Sequence, residues 1–259
     1  MKIVVCIKQV PDTTEVKIDA QTGTLIRKGI PTIINPDDKS GLEAALSLKD
    51  KYDAHITVLT MGPAQAEVAL RETLAMGADE AILLSDRKFA GSDTWATSCT
   101  LAAAINNLEY DLIICGRQAI DGDTAQVGPQ IAEHLQLPQV SYVENLQYSD
   151  GRFILKRMFE DRYQKIAVAA PCLITTLKEI AEPRYMSVGG VIAAYEKEIK
   201  HWNLQDITIA DKNLGLKGSP TRVKATQTKG AKAAGKVHEV SPAEGAKIIV
   251  DKLKEKYIV

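Results

Sequence analysis

The chain has 259 residues, room for one large domain or for a domain with an appended segment. Hydrophobic residues make up 45% and charged residues 25%, with a formal net charge of -1, so a full core is available and the basic excess of an electrostatic nucleic-acid binder is missing. No apolar run reaches the roughly 18 residues that a membrane helix needs, so no membrane span is expected.

Met1 to Ile7 is too short an apolar stretch for a signal peptide and reads as a buried first strand, which places the protein in the cytoplasm. Cys6, Cys99, Cys115 and Cys172 sit in or beside apolar segments with no CxxC pair, the pattern of reduced core cysteines. His55, His134, His201 and His238 are scattered without ligand spacing, so no metal site is expected.

Lys2 to Ile7 is a continuous apolar run, as in a strand buried on both faces. Pro36 to Lys51 reads as a helix with Leu42, Ala45 and Leu46 on one face. Ala54 to Thr60 is the next strand. Pro63 to Met76 is the next helix, with Ala66, Ala69, Leu70 and Leu74 inward and Gly77 at its end. Then come strand Glu80 to Leu84, helix Asp93 to Asn106 with Ala96, Leu101, Ala104 and Ile105, strand Asp111 to Cys115, and helix Thr124 to Leu135. This alternation predicts an α/β fold, a mostly parallel sheet with helices on both faces. Ligands of such sheets bind beyond the carboxyl ends of strands, which singles out the loops Lys8–Asp19, Asn35–Lys39, Met61–Ala64 and Arg117–Thr124.

Near residue 140 the pattern changes. Val143 to Tyr148 and Phe153 to Phe159 flank Ser149-Asp150-Gly151-Arg152, a hairpin signal. Ile166 to Ala169 and Leu173 to Leu177 add strands, expected to extend the sheet in antiparallel fashion. Periodicity is weak over residues 183–240, and Gly215 to Gly235 carries basic residues and no acidic one, which reads as an extended arm ordered on a partner. Ser241, Pro242 and Glu244 form a capping-box start to a last helix, with Ile248, Ile249, Leu253 and Tyr257 as its apolar stripe.

The most informative segment is Gly116-Arg117-Gln118-Ala119-Ile120-Asp121-Gly122-Asp123-Thr124-Ala125-Gln126-Val127. It leaves an apolar strand and enters a helix. Gly116 and Gly122 permit tight turns, Thr124 is a natural N-cap, and the N–H groups of Ala125, Gln126 and Val127 form an anion site. Arg117 supplies positive charge, and Gln118 and Gln126 supply amides. Asp121 and Asp123 argue the other way, because carboxylates repel a phosphate unless something neutralises them. The segment is neither a Walker loop nor a GxGxxG fingerprint; an ordinary acidic turn with a capping threonine reads equally well. Asn35-Pro36-Asp37-Asp38 offers a second strand-end candidate, Asn35 being equally suited to capping the helix that Pro36 opens. Met61-Gly62-Pro63 closes a further strand at the same edge. No catalytic constellation can be located by spacing, so redox chemistry would fall to a bound cofactor.

Val4-Val5-Cys6-Ile7-Lys8-Gln9-Val10-Pro11-Asp12, Ile34-Asn35-Pro36, Met61-Gly62-Pro63-Ala64-Gln65, Ala75-Met76-Gly77-Ala78-Asp79, Gly116 to Asp121 and Glu182-Pro183-Arg184-Tyr185 together resemble electron-transfer flavoprotein β subunits. The matches are collinear from residue 2 to about 195. The resemblance implies a Rossmann-like, adenine-nucleotide-binding domain over 1–195 and a C-terminal arm and helix over 196–259 that dock on an electron-transfer flavoprotein α subunit. It also implies cofactor contacts at Cys6, at Asn35, Pro36, Asp37 and Asp38, at Met61 and Gly62, and along Gly116 to Val127. Leu177 to Tyr185 resembles the loop that docks on an acyl-CoA dehydrogenase, with Ile180 as its apolar anchor beside Glu182 and Arg184; packing of Ile180 in the core is the other reading. The stretch Asp121 to Pro129 resembles the flavin-bifurcating type of anaerobes, whose β site holds FAD, whereas housekeeping members hold AMP there. That likeness implies NADH as hydride donor, ferredoxin as one acceptor, and a dehydrogenase of acyl-CoA or lactate type as the other. A stand-alone nucleotide sensor or hydrolase of similar fold is the rival of another class.

Overall fold

The computed structural model describes residues 1–12, 31–222 and 235–259. They fall into two compact units, Met1–Val223 and Lys224–Val259. In chain order the first holds β1 (Lys2–Cys6), β2 (Gln9–Pro11), β3 (Thr32–Ile34), α1 (Pro36–Tyr52), β4 (His55–Met61), α2 (Glu67–Met76), β5 (Glu80–Leu84), α3 (Thr94–Ile105) and β6 (Leu112–Gly116). It continues with α4 (Val127–His134), β7 (Gln139–Ser149), β8 (Arg152–Phe159), β9 (Arg162–Ala169), β10 (Cys172–Thr176), α5 (Val188–Glu196), β11 (Ile199–Trp202) and the short α6 (Gly215–Gly218). The second unit contributes α7 (Pro242–Glu255).

Nine strands form one sheet in the order β11-β5-β4-β1-β6-β10-β7-β8-β9, and β2 pairs with β3 in a separate antiparallel ribbon. The first seven run parallel, and β8 and β9 close the sheet as an antiparallel meander. The mostly parallel sheet with antiparallel edge strands is therefore as the alternation predicts. One placement differs: β10 is not an antiparallel extension but inserts between β6 and β7, parallel to both. Its burial on every residue is the mark of a central strand.

Alternation along β1 splits the core. Ile3, Val5 and Ile7 face α1 and α2 through Leu42, Leu46, Leu70 and Leu74. Val4 and Cys6 face α3 and α4 through Leu101, Ile105 and Ile131. Each fully buried Leu or Ile contributes about 1.5–3 kcal/mol. At the hairpin, Asp150 (φ 51°) and Gly151 (φ 75°) both adopt positive φ, the conformation that matches strand twist in a two-residue turn.

The sheet runs past residue 195, where the sequence places the start of the arm. β11 pairs with β5, and Ile207 and Leu214 are buried in the α3/α4 core. In the second unit, Ser241 Oγ accepts from Glu244 N, and the Glu244 carboxylate accepts from Ser241 N, the capping box expected there. Residues 223–234 of the expected arm lie outside the described residues.

Candidate functional site

The chain winds outward from β1 in two directions: β4, β5 and β11 on one side, β6 and β10 on the other. The crevice beyond the ends of β1 and β6 is thus the topological switch point, where the loops after adjacent strands diverge and leave a gap. Cys6 and Cys115 stand opposite each other at these ends, and Gly116 follows. Hydrogen bonding to Cys6, then burial, pushes the Cys115 thiol well above the usual range, so it stays protonated. All four cysteines are free thiols and buried.

Three buried polar residues of the α1 start organise this crevice. The Asp38 carboxylate accepts the N–H of Lys8 (2.8 Å) and of Gly116 (3.0 Å), fastening the exits of β1 and β6 to each other. A Cβ at Gly116 would run into Asp38 Oδ1, so this close approach needs glycine. Burial raises the Asp38 carboxyl to about 7 against the opposing pull of its hydrogen bonds. Burial also raises Asp37, partly offset by Arg117, whose Nε lies 3.4 Å from Asp37 Oδ2. Asn35 does not cap α1 with its side chain, although Pro36 occupies the first helical turn as expected. Its amide instead donates to Gln118 O (2.9 Å) and accepts from Ile120 N (3.0 Å).

The acidic residues of the loop are neutralised within the protein. Asp121 pairs with Lys8 Nζ at 2.6 Å, and Asp123 accepts the Gln118 amide at 2.9 Å. Gly122 N and Asp123 N both bond Ala119 O, closing a tight turn. Asp123 (φ 50°) and Ala125 (φ 52°) then take left-handed conformations. These delay the helix: α4 starts at Val127 with Gln126 as its N-cap, so Thr124 is not the cap that its residue type suggests. Among the described hydrogen bonds none is donated by the backbone N–H of Thr124, Ala125, Gln126 or Val127. Four adjacent N–H groups, the last ones opening a helix, make an anion-binding concavity. Gln126 is held by Thr94 at the start of α3, whose hydroxyl donates to Gln126 Oε1 at 2.8 Å.

The structure thus joins Asn35, Asp37, Asp38, Gly116, Arg117, Gln118, Ile120, Asp121 and Asp123 into one network. Cys6 lies beneath it. Met61 and Gly62 end the neighbouring strand, where Gly62 N bonds Leu84 O, and no described hydrogen bond ties them to the loop. Pro36 and Glu182 instead share the wall of an adjoining cavity of about 570 Å3, with Ile33, Lys39, Glu72 and Lys178. Ile180 is partly buried against the α1/α2 core, and Glu182 is exposed. Arg184 turns inward: its guanidinium meets Glu43 in a bidentate pair at 2.8–3.0 Å and Asp50 at 2.7 Å.

Thr94 and Thr176 were not singled out by the sequence, and Lys8 entered only as the first residue of a strand-end loop. Thr176 accepts Arg117 N (2.8 Å) through its carbonyl, and its hydroxyl lies 3.1 Å from Asp37 O. It stands at the end of a parallel strand, so the strand-end rule finds it once β10 is placed correctly. One further pair escaped spacing: Ser98 Oγ lies 3.1 Å and Cys99 Sγ 3.5 Å from His134 Nε2. Ser98 is fully buried and donates to Trp95 O, so this is a helix-packing contact and not a nucleophile and base.

Fold and loop define a doubly wound α/β protein with, at its switch point, a run of backbone N–H groups that no described hydrogen bond uses. Residues 22–207 match the model of the electron transfer flavoprotein domain. The chain is 56% identical to the electron transfer flavoprotein subunit beta of Clostridium acetobutylicum over the whole of both chains. It is 54% identical to subunit CarD of the caffeyl-CoA reductase-Etf complex of Acetobacterium woodii, again over the whole of both. To the acryloyl-CoA reductase electron transfer subunit gamma of Anaerotignum propionicum it is 46% identical, likewise over both full lengths. The chain belongs to the electron transfer flavoprotein family, among its β subunits. Among the described residues no helix is long and apolar enough to cross a membrane.

Proposed function

We propose that the chain holds FAD at the switch-point loops and serves as the β subunit of a flavin-bifurcating electron transfer flavoprotein. The observation that carries this reading is the loop's charge state: its acids are satisfied by Lys8 and Gln118, while the N–H groups of residues 124–127 are left to a diphosphate. The group fits the residues present. Gly116 lets the loop approach α1, and an added Cβ at Gly122 would meet nothing within 4 Å, so space beside the turn is open. Small residues at Gly122 and Ala125 favour a ligand that continues past the adenosine moiety.

Bound FAD supplies two-electron acceptance and one-electron release. The protein's own residues bind and orient. The 124–127 amides would hold the phosphates; Asp38 and Asn35 hold the loop; Arg117 balances Asp37. A flavin held there would accept a hydride from NADH and would divide its two electrons between ferredoxin and, by way of the α-subunit FAD, an acyl-CoA-type dehydrogenase, the downhill transfer driving the uphill one. The reductases in the names of two relatives favour that partner class over a lactate type. Residues 177–185 are assigned to partner docking and, of the arm and helix expected over 196–259, the unit Lys224–Val259 to α-subunit docking.

The test is a nucleotide count. The chain is co-purified with its α subunit, denatured, and its nucleotides quantified. Two FAD per heterodimer and no AMP is the expected result; one FAD with one AMP would replace bifurcation by single-flavin carriage.

A further inference from the structure

We propose that Asn35 is a positioning residue whose buried side-chain amide holds the Gly116–Val127 loop in its binding shape; this rests on the reading of that loop as the nucleotide site. Asn35 is completely buried. Each of its polar groups has a protein partner. The side-chain NH2 donates to Gln118 O at 2.9 Å, and Oδ1 accepts from Ile120 N at 3.0 Å. Its backbone N–H donates to Lys8 O at 2.9 Å, and its carbonyl accepts from Lys39 N at 2.9 Å.

The amide imitates a peptide group. It offers one donor and one acceptor side by side to residues two apart in the loop. The fastened stretch 118–120 is the base of the Ala119–Asp123 turn, and that turn aims the amides of residues 124–127. The other clasp, Lys8 to Asp121, includes a half-exposed lysine and is screened by water and salt. The buried clasp therefore carries the geometry. It is one-way: a carboxylate at position 35 has no donor for Gln118 O, whereas a protonated carboxyl has one. The charged groups around this position are Asp37 and Asp38 of α1, Lys8 beyond β1, and Arg117 and Asp121 of the loop.

The experiment uses the full chain with its α subunit, as wild type, Asn35→Ala and Asn35→Asp. Amide exchange is read without nucleotide, and FAD affinity is titrated by flavin fluorescence from mildly acidic to mildly alkaline pH. In Asn35→Ala, exchange at Ile120 accelerates while Val5 and Ile113 in the sheet stay protected, and FAD binding weakens about tenfold or more. Asn35→Asp matches the alanine variant at alkaline pH and recovers affinity, relative to wild type, as pH falls. Unchanged Ile120 exchange, acceleration spread through β1 and β6, or an aspartate variant without acid recovery each overturns the proposal. If wild type takes no FAD, the reading of the ligand fails, and the exchange data still decide whether Asn35 is the clasp.

Discussion

Asp38 shows how a single side chain sets a property of the whole crevice. Its two oxygens are consumed by N–H groups from β1 and β6, yet complete burial raises its carboxyl to about 7. The folded state therefore holds this proton more tightly than the unfolded chain, whose carboxyl titrates near 3.8. Stability from this group is complete below that value, falls by up to about 1.4 kcal/mol per pH unit as pH rises toward 7, and is level above. Urea midpoints measured against pH on wild type and Asp38→Asn check this: the variant's profile flattens across that window. A parallel wild-type and variant profile would mean that Asp38 stays ionised throughout. Residue types alone pointed to Asn35 and Thr124 as helix caps, because capping is a local rule. The partners that recruit the Asn35 amide lie 83 and 85 positions away, beyond any local pattern.

Elements followed their sequence patterns where burial was continuous or periodic. The apolar runs at β1, β4, β5 and β6 read directly as parallel strands. β10 was legible as a strand but not as a central one, since pairing order is not written in a strand's own residues. Residues 196–222 looked unstructured because their short elements bury only isolated side chains such as Ile199, Ile207 and Leu214, which leaves no period to detect. The segment 177–185 has a similar character. It is fastened at one end by Leu177 N to Val143 O and at the other by Arg184 on α1. Glu43 is nearly buried beneath Arg184, and a loss of the guanidinium strands that carboxylate. Arg184→Ala is expected to cost about 1–3 kcal/mol, below the full value of a buried pair because Arg184 is one-third exposed. Protease cleavage and amide exchange confined to residues 177–185 would accompany it. A wild-type midpoint and unchanged cleavage would show the pair to be incidental.

At the scale of the molecule, both core clusters are built from residues 3–214, all within Met1–Val223. The α/β unit thus has its own core, and removal of Lys224–Val259 is expected to leave its thermal midpoint within a few degrees of the full chain, a shift of less than about 1 kcal/mol. Co-purification with the α subunit is expected to fail for the shortened chain. Scanning calorimetry and a pull-down distinguish the two effects; a large drop in midpoint would make the C-terminal unit part of the fold rather than a docking element.

The switch-point crevice has a consequence for how such a protein can change over generations. Its stability resides in strand bodies and helix faces, whereas its proposed ligand contacts are backbone amides on loops that begin where those strands stop. Substitutions at Gly122, Ala125 or Gln126 can therefore alter which nucleotide tail is accommodated without touching a core residue. Asn35, Asp38 and Gly116 allow no such drift, because each serves two strands at once. Variation in what is bound and constancy in how it is held are thereby inherited separately.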